Sequence, residues 1–372
     1  MKLIKKVLSI ICIFLISCIV CGCFNYREIN KITFATSIIF DKDEYDNVKI
    51  YLDCVRPYRN ENESSDKGRR LIFESTGKTV LEAIRGINLM SSNEVNFSQV
   101  KSYIFTENVA KSGIEDYTNL INNNQQFSFK PYMFVYFGDV DALLDMVGNE
   151  EEYIGIYLQE LIETNKENGS VIYKNVNDYL CEILENDRVS YMTGIELRKD
   201  DVDNKIKLNG GVIMKDNIMV DKIEPSDVVS CNLLLGKANK GTFEVVNPDQ
   251  SDKFVTLDIL ESSTDTEIYI DDRINIKKNI EIIATIGEIQ GTMTVNNKKI
   301  KQMEIIEEEK LKDYLMEVFN QYKDEEIDIL KIKRLIKTRY PYYNEDNILK
   351  NVNMNINVRV KIEGSSLVRE SL

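Results

Sequence analysis

The segment Val352–Ile362, which reads VNMNINVRVKI, predicts the fold of the C-terminal half most clearly. Apolar residues occupy every second position and alternate with asparagine, arginine and lysine. Because successive side chains of a β-strand point to opposite faces, this pattern predicts a half-buried strand. Its apolar face must pack against a core, so we expect covering helices in the same half of the chain.

The segments before this strand supply a helix and further strands. Ile305–Tyr322 carries an apolar stripe at helical spacing, and we expect helix to continue through Glu325–Lys337 until Tyr340-Pro341 ends it. We read both the helix and the closing strand as core, and the acidic run Glu307–Glu309 as a solvated helix face. Further strands are predicted at Gly211–Met214, Ile218–Ile223, Phe254–Leu260, Glu267–Ile270, Ile280–Ile286 and Thr292–Val295.

The N-terminal half mixes strands and helices without a regular βαβ rhythm. Strands are predicted at Thr33–Phe40, Val48–Val55, Val100–Phe105 and Tyr132–Phe137, and an exposed loop at Pro57–Arg70. Helical spacing covers Gly77–Leu89, Glu107–Ala110, Ile114–Ile121, Asp139–Val147, Ile154–Ile162 and Val176–Leu184. We therefore predict an α+β fold with mixed, mainly antiparallel sheets and packed helices, in two to three domains.

Composition excludes several classes of function. The chain has 372 residues, a net charge of −14 and no histidine. Without histidine, Ser-His-Asp and Cys-His catalysis are excluded, as are most zinc sites. An acidic body repels phosphate backbones, so we expect no nucleic-acid partner. We also expect no metal, no cofactor and no enzymatic activity. The wide spacing of Cys54, Cys181 and Cys231 excludes CxxC motifs, and we expect three free, buried thiols.

The N-terminus predicts export and lipid anchoring. Met1–Lys6 is a short basic region, and the apolar run Val7–Val20 is too short for a membrane-spanning helix. The run ends in Val20-Cys21-Gly22-Cys23, which resembles a bacterial lipobox, and polar sequence begins soon afterwards. We therefore predict a signal peptide over residues 1–22 and a diacylglyceryl group on Cys23. The sequence Leu15-Ile16-Ser17-Cys18 also fits a lipobox, so Cys18 stays open as the lipidated residue.

A polar stretch marks the predicted division of the exported body. Residues 198–205 read RKDDVDNK, and we place a boundary there between domains at residues 23–200 and 201–372. Removal of residues 1–22, which hold three of the 47 basic residues and no acidic one, leaves 44 basic and 61 acidic residues. The resulting net charge of −17 would be repelled by anionic lipids, so a covalent tether has to hold the body at a membrane.

Blocks along the whole mature chain resemble one known family. Cys23–Asn30 (CFNYREIN) resembles the Gly-Cys-Trp-Asp-x-x-Glu-Ile start of mature Ger(x)C spore germination lipoproteins, although Phe24-Asn25 replaces Trp-Asp. The tryptophan that the family has before Leu-Gly-Lys is also absent, at Leu233–Lys237. Other similar blocks follow in family order at Asn96–Val100, Thr106–Ile114, Phe129–Phe137, Asp139–Asp145, Gly211–Asn217, Gly287–Gln290, Tyr340-Pro341 and Val358–Ile362.

The resemblance implies a function in spore germination. It implies a non-enzymatic lipoprotein subunit of a nutrient germinant receptor, placed on the outer face of the spore inner membrane beside membrane-embedded receptor subunits. An alternative from another class is an extracytoplasmic solute-binding lipoprotein that captures a nutrient, and a carboxylate-pair glycosidase also stays open. Gly236–Gly241 superficially resembles a phosphate loop but lacks its spacing, so we expect a basic turn. The germinant, the partner surface, the oligomeric state and any small-molecule binding stay undetermined.

Overall fold

The computed structural model describes residues 4–7, 31–56, 69–145, 153–185, 187–199, 204–343 and 347–365. Nine strands form a first sheet, in the order β3-β2-β1-β5-β6-β7-β8-β9, with the short β4 beside β1. Their bounds are β1 Ile32–Lys42, β2 Val48–Arg56, β3 Arg69–Gly77, β4 Glu94–Asn96, β5 Ser102–Thr106, β6 Tyr132–Tyr136, β7 Val189–Lys199, β8 Asn204–Lys215 and β9 Ile218–Ile223.

The first sheet has a parallel centre and antiparallel ends. Strands β1, β5, β6 and β7 run parallel, whereas β1-β2-β3 and β7-β8-β9 are antiparallel meanders. Parallel neighbours need crossover connections, and helices supply them here. The helices are α1 Val80–Met90, α2 Glu107–Ser112, α3 Glu115–Asn123, α4 Val140–Leu144, α5 Ile154–Asn165 and α6 Val176–Ile183.

These six helices cover both faces of the sheet. Helices α1, α2, α3 and α6 share one core with residues such as Ile38 and Phe40, while α4 and α5 share the other core with Ile39. Helix α5 lies so close to β1 that a side chain at Gly155 would meet the Thr36 carbonyl oxygen, with a Cβ placed 2.0 Å from it. Only glycine permits this contact between helix and sheet.

A second, four-stranded sheet follows in the order β10-β11-β12-β13. Three helices accompany it, and the longest, α8, packs against the closing strand β13. Strand β13 contains the alternating segment Val352–Ile362 and pairs in parallel with β12. The bounds are α7 Val228–Leu235, β10 Gly241–Asn247, β11 Gln250–Ile270, β12 Ile274–Ile289, α8 Asn297–Asp324, α9 Ile332–Arg339 and β13 Val352–Ser365.

Acidic side chains of α8 pair with the backbone of β13, which is an edge strand. Glu304 Oε1 accepts a hydrogen bond from the Ile362 N–H at 2.9 Å, and Glu308 Oε1 accepts one from the Val360 N–H at 3.0 Å. Satisfying edge N–H groups in this way removes a template for pairing with another chain. The acidic run is therefore not simply a solvated face: Glu307 is fully buried, and among its three members only Glu309 is exposed.

The α+β class with mixed sheets is confirmed. Six of the eleven strand pairings in the described residues are antiparallel. The predicted boundary after residue 200 falls between β7 and β8, which are paired, so the first sheet extends to Ile223. The division at residue 200 stays a prediction.

Several local predictions were wrong. Strands β3, β4, β7 and β10 and helix α7 were not predicted, and Thr292–Val295 is not a strand. Helix does not continue through Glu325–Lys337, because Glu326 and Lys331 adopt φ angles of 58° and 57° and separate α8 from α9. These left-handed conformations are unfavourable for residues with side chains, so surrounding contacts must hold them. The Asp328 carboxylate is one such contact, since it accepts from the Ile332 and Lys333 N–H groups at 2.8 Å.

Candidate functional site

The predicted lipid-attachment residue Cys23 and its alternative Cys18 lie outside the described residues. Nowhere in the described ranges is there a helix long and apolar enough to cross a membrane. Cys54, Cys181 and Cys231 are free thiols, as expected. Cys54 and Cys231 are buried, but Cys181 is exposed, because it lies on the outer side of α6. The prediction that all three are buried was therefore wrong for Cys181.

The two sheets meet at a continuous apolar junction. Val189, Tyr191 and Ile213 of the first sheet belong to the same buried cluster as the residues of the second sheet and of α7, α8 and α9. Ile223, the last residue of β9, joins that cluster as well. Burial of apolar side chains from both sides stabilises a fixed arrangement of the two sheets.

Polar contacts reinforce this junction. The Tyr322 hydroxyl of α8 donates to Asp221 Oδ2 of β9 at 2.9 Å. Arg334 of α9 forms an ion pair with Glu185 at 2.6 Å, and the Tyr191 hydroxyl donates to the Ile329 carbonyl oxygen. Buried hydroxyl groups must find partners inside the protein, and these do so across the junction.

A loop between α5 and α6 forms a second contact between the two halves. The Asn232 side-chain amide of α7 donates to the carbonyl oxygens of Gly169 and Val171. A Cβ atom at Gly169 would lie 2.6 Å from the Lys240 carbonyl oxygen, so the close approach of the two backbones requires glycine. The loop and α7 are thereby held against each other.

A cleft of about 340 Å³ opens between this loop and the end of α7. Such a volume lies at the lower end of the range of small-molecule sites. Its floor is buried and includes Lys174, Tyr191 and Asn232, whereas Tyr173 and Lys166 are exposed at its rim. The remaining lining residues are Val171, Ile172, Asp178, Leu235, Gly236, Lys237 and Asn239.

Two of the lysines that line the cleft, Lys174 and Lys237, have different electrostatic surroundings. Lys174 pairs with Glu182, whose other carboxylate oxygen accepts from Ser190 Oγ at 2.7 Å. Burial alone would raise the pKa of Glu182, but the Lys174 ammonium keeps it below its ordinary value. Desolvation in the cleft wall and the neighbouring Lys174 lower the pKa of Lys237, although that residue keeps contact with solvent.

A third lysine lies behind the cleft at the end of α7. Lys278 is 5% exposed and donates to the Leu234 carbonyl oxygen at 2.8 Å and to Thr266 Oγ1 at 3.1 Å. A cation at a helix C-terminus meets the negative end of the helix dipole. Burial nevertheless lowers its pKa to about 8. Three lysines therefore converge around the C-terminal end of α7.

Sequence reasoning did not find this cleft. It read Gly236–Gly241 as a basic turn, and the segment does connect α7 to β10, with Gly236 ending the helix at a φ angle of 67°. The signal that could have drawn attention to Lys237 was the family-like block Leu233–Lys237. Across the described ranges, no group of three or more cysteine and carboxylate residues is arranged to hold a metal ion.

Comparison with known families matches both halves of the chain. A family model described as the spore germination protein N-terminal domain matches residues 25–197. A second model, described as spore germination B3/GerAC-like, C-terminal, matches residues 209–366. Together they cover most of the 372 residues. The chain therefore belongs to the GerAC family of spore germination proteins.

Individual relatives agree with this assignment. Spore germination protein GerQC of Bacillus cereus is 22% identical over 358 residues, which are 95% of this chain and 97% of that protein. Spore germination protein B3 of Bacillus subtilis is 18% identical and aligns over 87% of each chain. The crystal structure of the GerBC protein matches with a TM-score of 0.54 at 14% identity, covering 87% of this chain and 96% of that one. At this identity the structural match supports the fold.

Proposed function

We propose that this protein is a lipid-anchored, non-enzymatic subunit of a spore nutrient germinant receptor. The observation that carries the proposal is the ordered match of both GerAC domains across residues 25–197 and 209–366. The lipobox-like Val20–Cys23 directly precedes that match and would place the lipid at the start of the folded body. The anchor would hold the protein at the outer face of the spore inner membrane, beside membrane-embedded receptor subunits.

The structure suits a subunit that works as one body. The apolar junction and the contacts Tyr322–Asp221 and Arg334–Glu185 connect the two sheets over a broad area. A body connected in this way can transmit a contact at one domain to the other without independent domain motion. The net charge of −17 that remains after removal of residues 1–22 (44 basic and 61 acidic residues) would keep it away from anionic headgroups, so that the tether alone determines its distance from the membrane.

The test is nutrient-triggered release of dipicolinate from spores of wild type, a deletion strain and a Cys23→Ala strain. We expect both mutants to lose the response to one class of nutrient. Germination by a trigger that bypasses the nutrient receptors should be unchanged, which shows that the spores are otherwise intact. Normal germination of the deletion strain with every nutrient, in a background that lacks other members of the family, would contradict the proposal.

A further inference from the structure

The cleft beside α7 collects positive charge on an acidic protein. Lys174 and Lys237 line it, Lys278 lies behind its wall, and Glu182 is the carboxylate that pairs with Lys174. Within the part of the chain that the structure describes, no carboxylate lies within ion-pair distance of the Lys237 ammonium. Glu182 and Asp178, which also lines the cleft, act on Lys237 only through longer-range electrostatic attraction.

The surroundings of Lys237 disfavour its charge. Protein atoms displace part of its hydration, and the nearby Lys174 ammonium repels it. Glu182 already compensates the charge of Lys174, so the unfavourable free energy falls on Lys237. An anion beside Lys237 would offset it, since the attraction of opposite charges is strong where water is partly excluded. A cleft of this kind is therefore electrostatically suited to an anion.

The lining also defines the size and character of the ligand. Val171, Ile172 and Leu235 supply apolar surface, and the volume of about 340 Å³ admits only a small molecule. Asp178 adds one negative charge to the wall and disfavours a ligand that carries two. A short aliphatic chain that ends in a single carboxylate satisfies each of these conditions.

We propose that the cleft between the 166–174 loop and the end of α7 binds a small monocarboxylate, with Lys237 as its counter-ion. The carboxylate lies against Lys237 and the aliphatic part against Ile172 and Leu235. Because the walls come from both halves of the chain, the ligand bridges the loop of the first domain and the first helix of the second. The proposal goes beyond the function in germination and does not depend on it.

Titration calorimetry on the full-length protein in detergent tests the proposal, with butyrate as the probe and butyramide as its neutral analogue. At constant salt we expect saturable heat with butyrate and none with butyramide. Lys237→Gln should weaken butyrate binding about tenfold or more, equivalent to about 1.4 kcal/mol, whereas Lys237→Arg should retain it. Lys240→Gln is the matched control, since Lys240 is exposed, lies outside the cleft and pairs with Glu167.

Three results would overturn the site. The first is no heat with butyrate at millimolar concentrations, and the second is equal binding of butyramide. The third is an equal loss of butyrate affinity in Lys237→Gln and Lys240→Gln, which would show that any change in protein charge has this effect. The apo melting temperature provides a separate check on folding, because removal of a disfavoured cation in Lys237→Gln should leave it unchanged or raise it. Failure of binding would leave the dipicolinate experiment unaffected, so the two proposals fail separately.

Discussion

The side-chain nitrogen of Asn232 lies 2.7 Å from the carbonyl oxygen of Gly169 and 3.0 Å from that of Val171. One amide group thus binds two carbonyl groups of a loop that is more than sixty residues away in sequence. Asn232 is 3% exposed, so water does not replace its side-chain nitrogen as a donor to these two carbonyl oxygens. This contact joins the two halves of the chain and forms part of the cleft wall.

Asn232→Ala should destabilise the protein by about 2–3 kcal/mol, because two buried carbonyl oxygens lose their donor. The measurement is urea unfolding followed by circular dichroism. Asn239→Ala provides the control, since Asn239 lines the same cleft but is exposed, and its change should stay within about 0.5 kcal/mol. Equal stability of the two variants would show that the Asn232 contact does not hold the junction.

Glu307→Gln should stabilise the protein at neutral pH by about 1–2 kcal/mol. The Glu307 carboxylate is fully buried without a hydrogen-bond donor among the described residues, and its nearest cation, Lys310, is 3.6 Å away. Desolvation raises the pKa of Glu307, so the wild type loses stability as the pH rises through that pKa.

The advantage of Glu307→Gln should therefore shrink as the pH falls towards the ordinary value for glutamate, where the wild-type carboxyl group is protonated. Urea unfolding at several pH values measures this difference. Glu309→Gln, at the exposed neighbouring position, should show neither the gain nor its pH dependence. A destabilised Glu307→Gln variant would mean that the charge has a partner that compensates its burial.

The difference in free energy of unfolding between the wild type and Lys278→Met should change as the pH rises. Burial lowers the pKa of Lys278 in the folded protein to about 8, below the ordinary value for lysine that holds in the unfolded chain. At a pH between these two pKa values, the unfolded state binds more protons than the folded state. Stability then rises with pH. Relative to Lys278→Met, the wild type should gain about 2 kcal/mol between about pH 7 and pH 9.5.

Urea unfolding at the two pH values checks the Lys278 prediction. Lys277→Met is the matched control, because Lys277 is the half-buried neighbour on the same strand and pairs with Glu267 at the surface. Its difference from the wild type should not depend on pH in this range. Parallel pH profiles for wild type and Lys278→Met would contradict the lowered pKa.

Cys23→Ala should move the protein from the membrane fraction to the soluble fraction, since the proposed attachment is by two acyl chains and the body is acidic. Fractionation and immunoblotting of sporulating cells measure the distribution. Cys18→Ala is the matched control and should remain with the membrane. The reverse pattern, with release only in Cys18→Ala, would assign the lipid to Cys18.

The elements that were predicted correctly are those whose apolar pattern is visible within a short stretch of sequence. Helices α1, α5 and α6 were predicted because each buries one stripe of apolar side chains. The hairpin of β1 and β2 was predicted because a polar turn separates two apolar runs. By contrast, β7 packs between two covered faces, so its mixed sequence VSYMTGIELRK shows no clean alternation.

The break between α8 and α9 shows a different limit. Residues 325–331 contain neither glycine nor proline, so the usual helix-ending signals are absent. Glu326 and Lys331 nevertheless take left-handed conformations, and the buried Asp328 caps α9. A buried side chain that receives two backbone N–H groups depends on the packing around it, which the local sequence does not contain.

The sequence by itself determined the features that arise from neighbouring residues. These include the lipobox-like N-terminus, the amphipathic helices and the alternating strand Val352–Ile362. Only the tertiary structure decided that β13 pairs in parallel with β12, and that Lys174 and Lys237 line one cleft. The physical reason is distance along the chain: strand pairing and cleft formation depend on which buried surfaces meet, and those surfaces come from segments tens of residues apart.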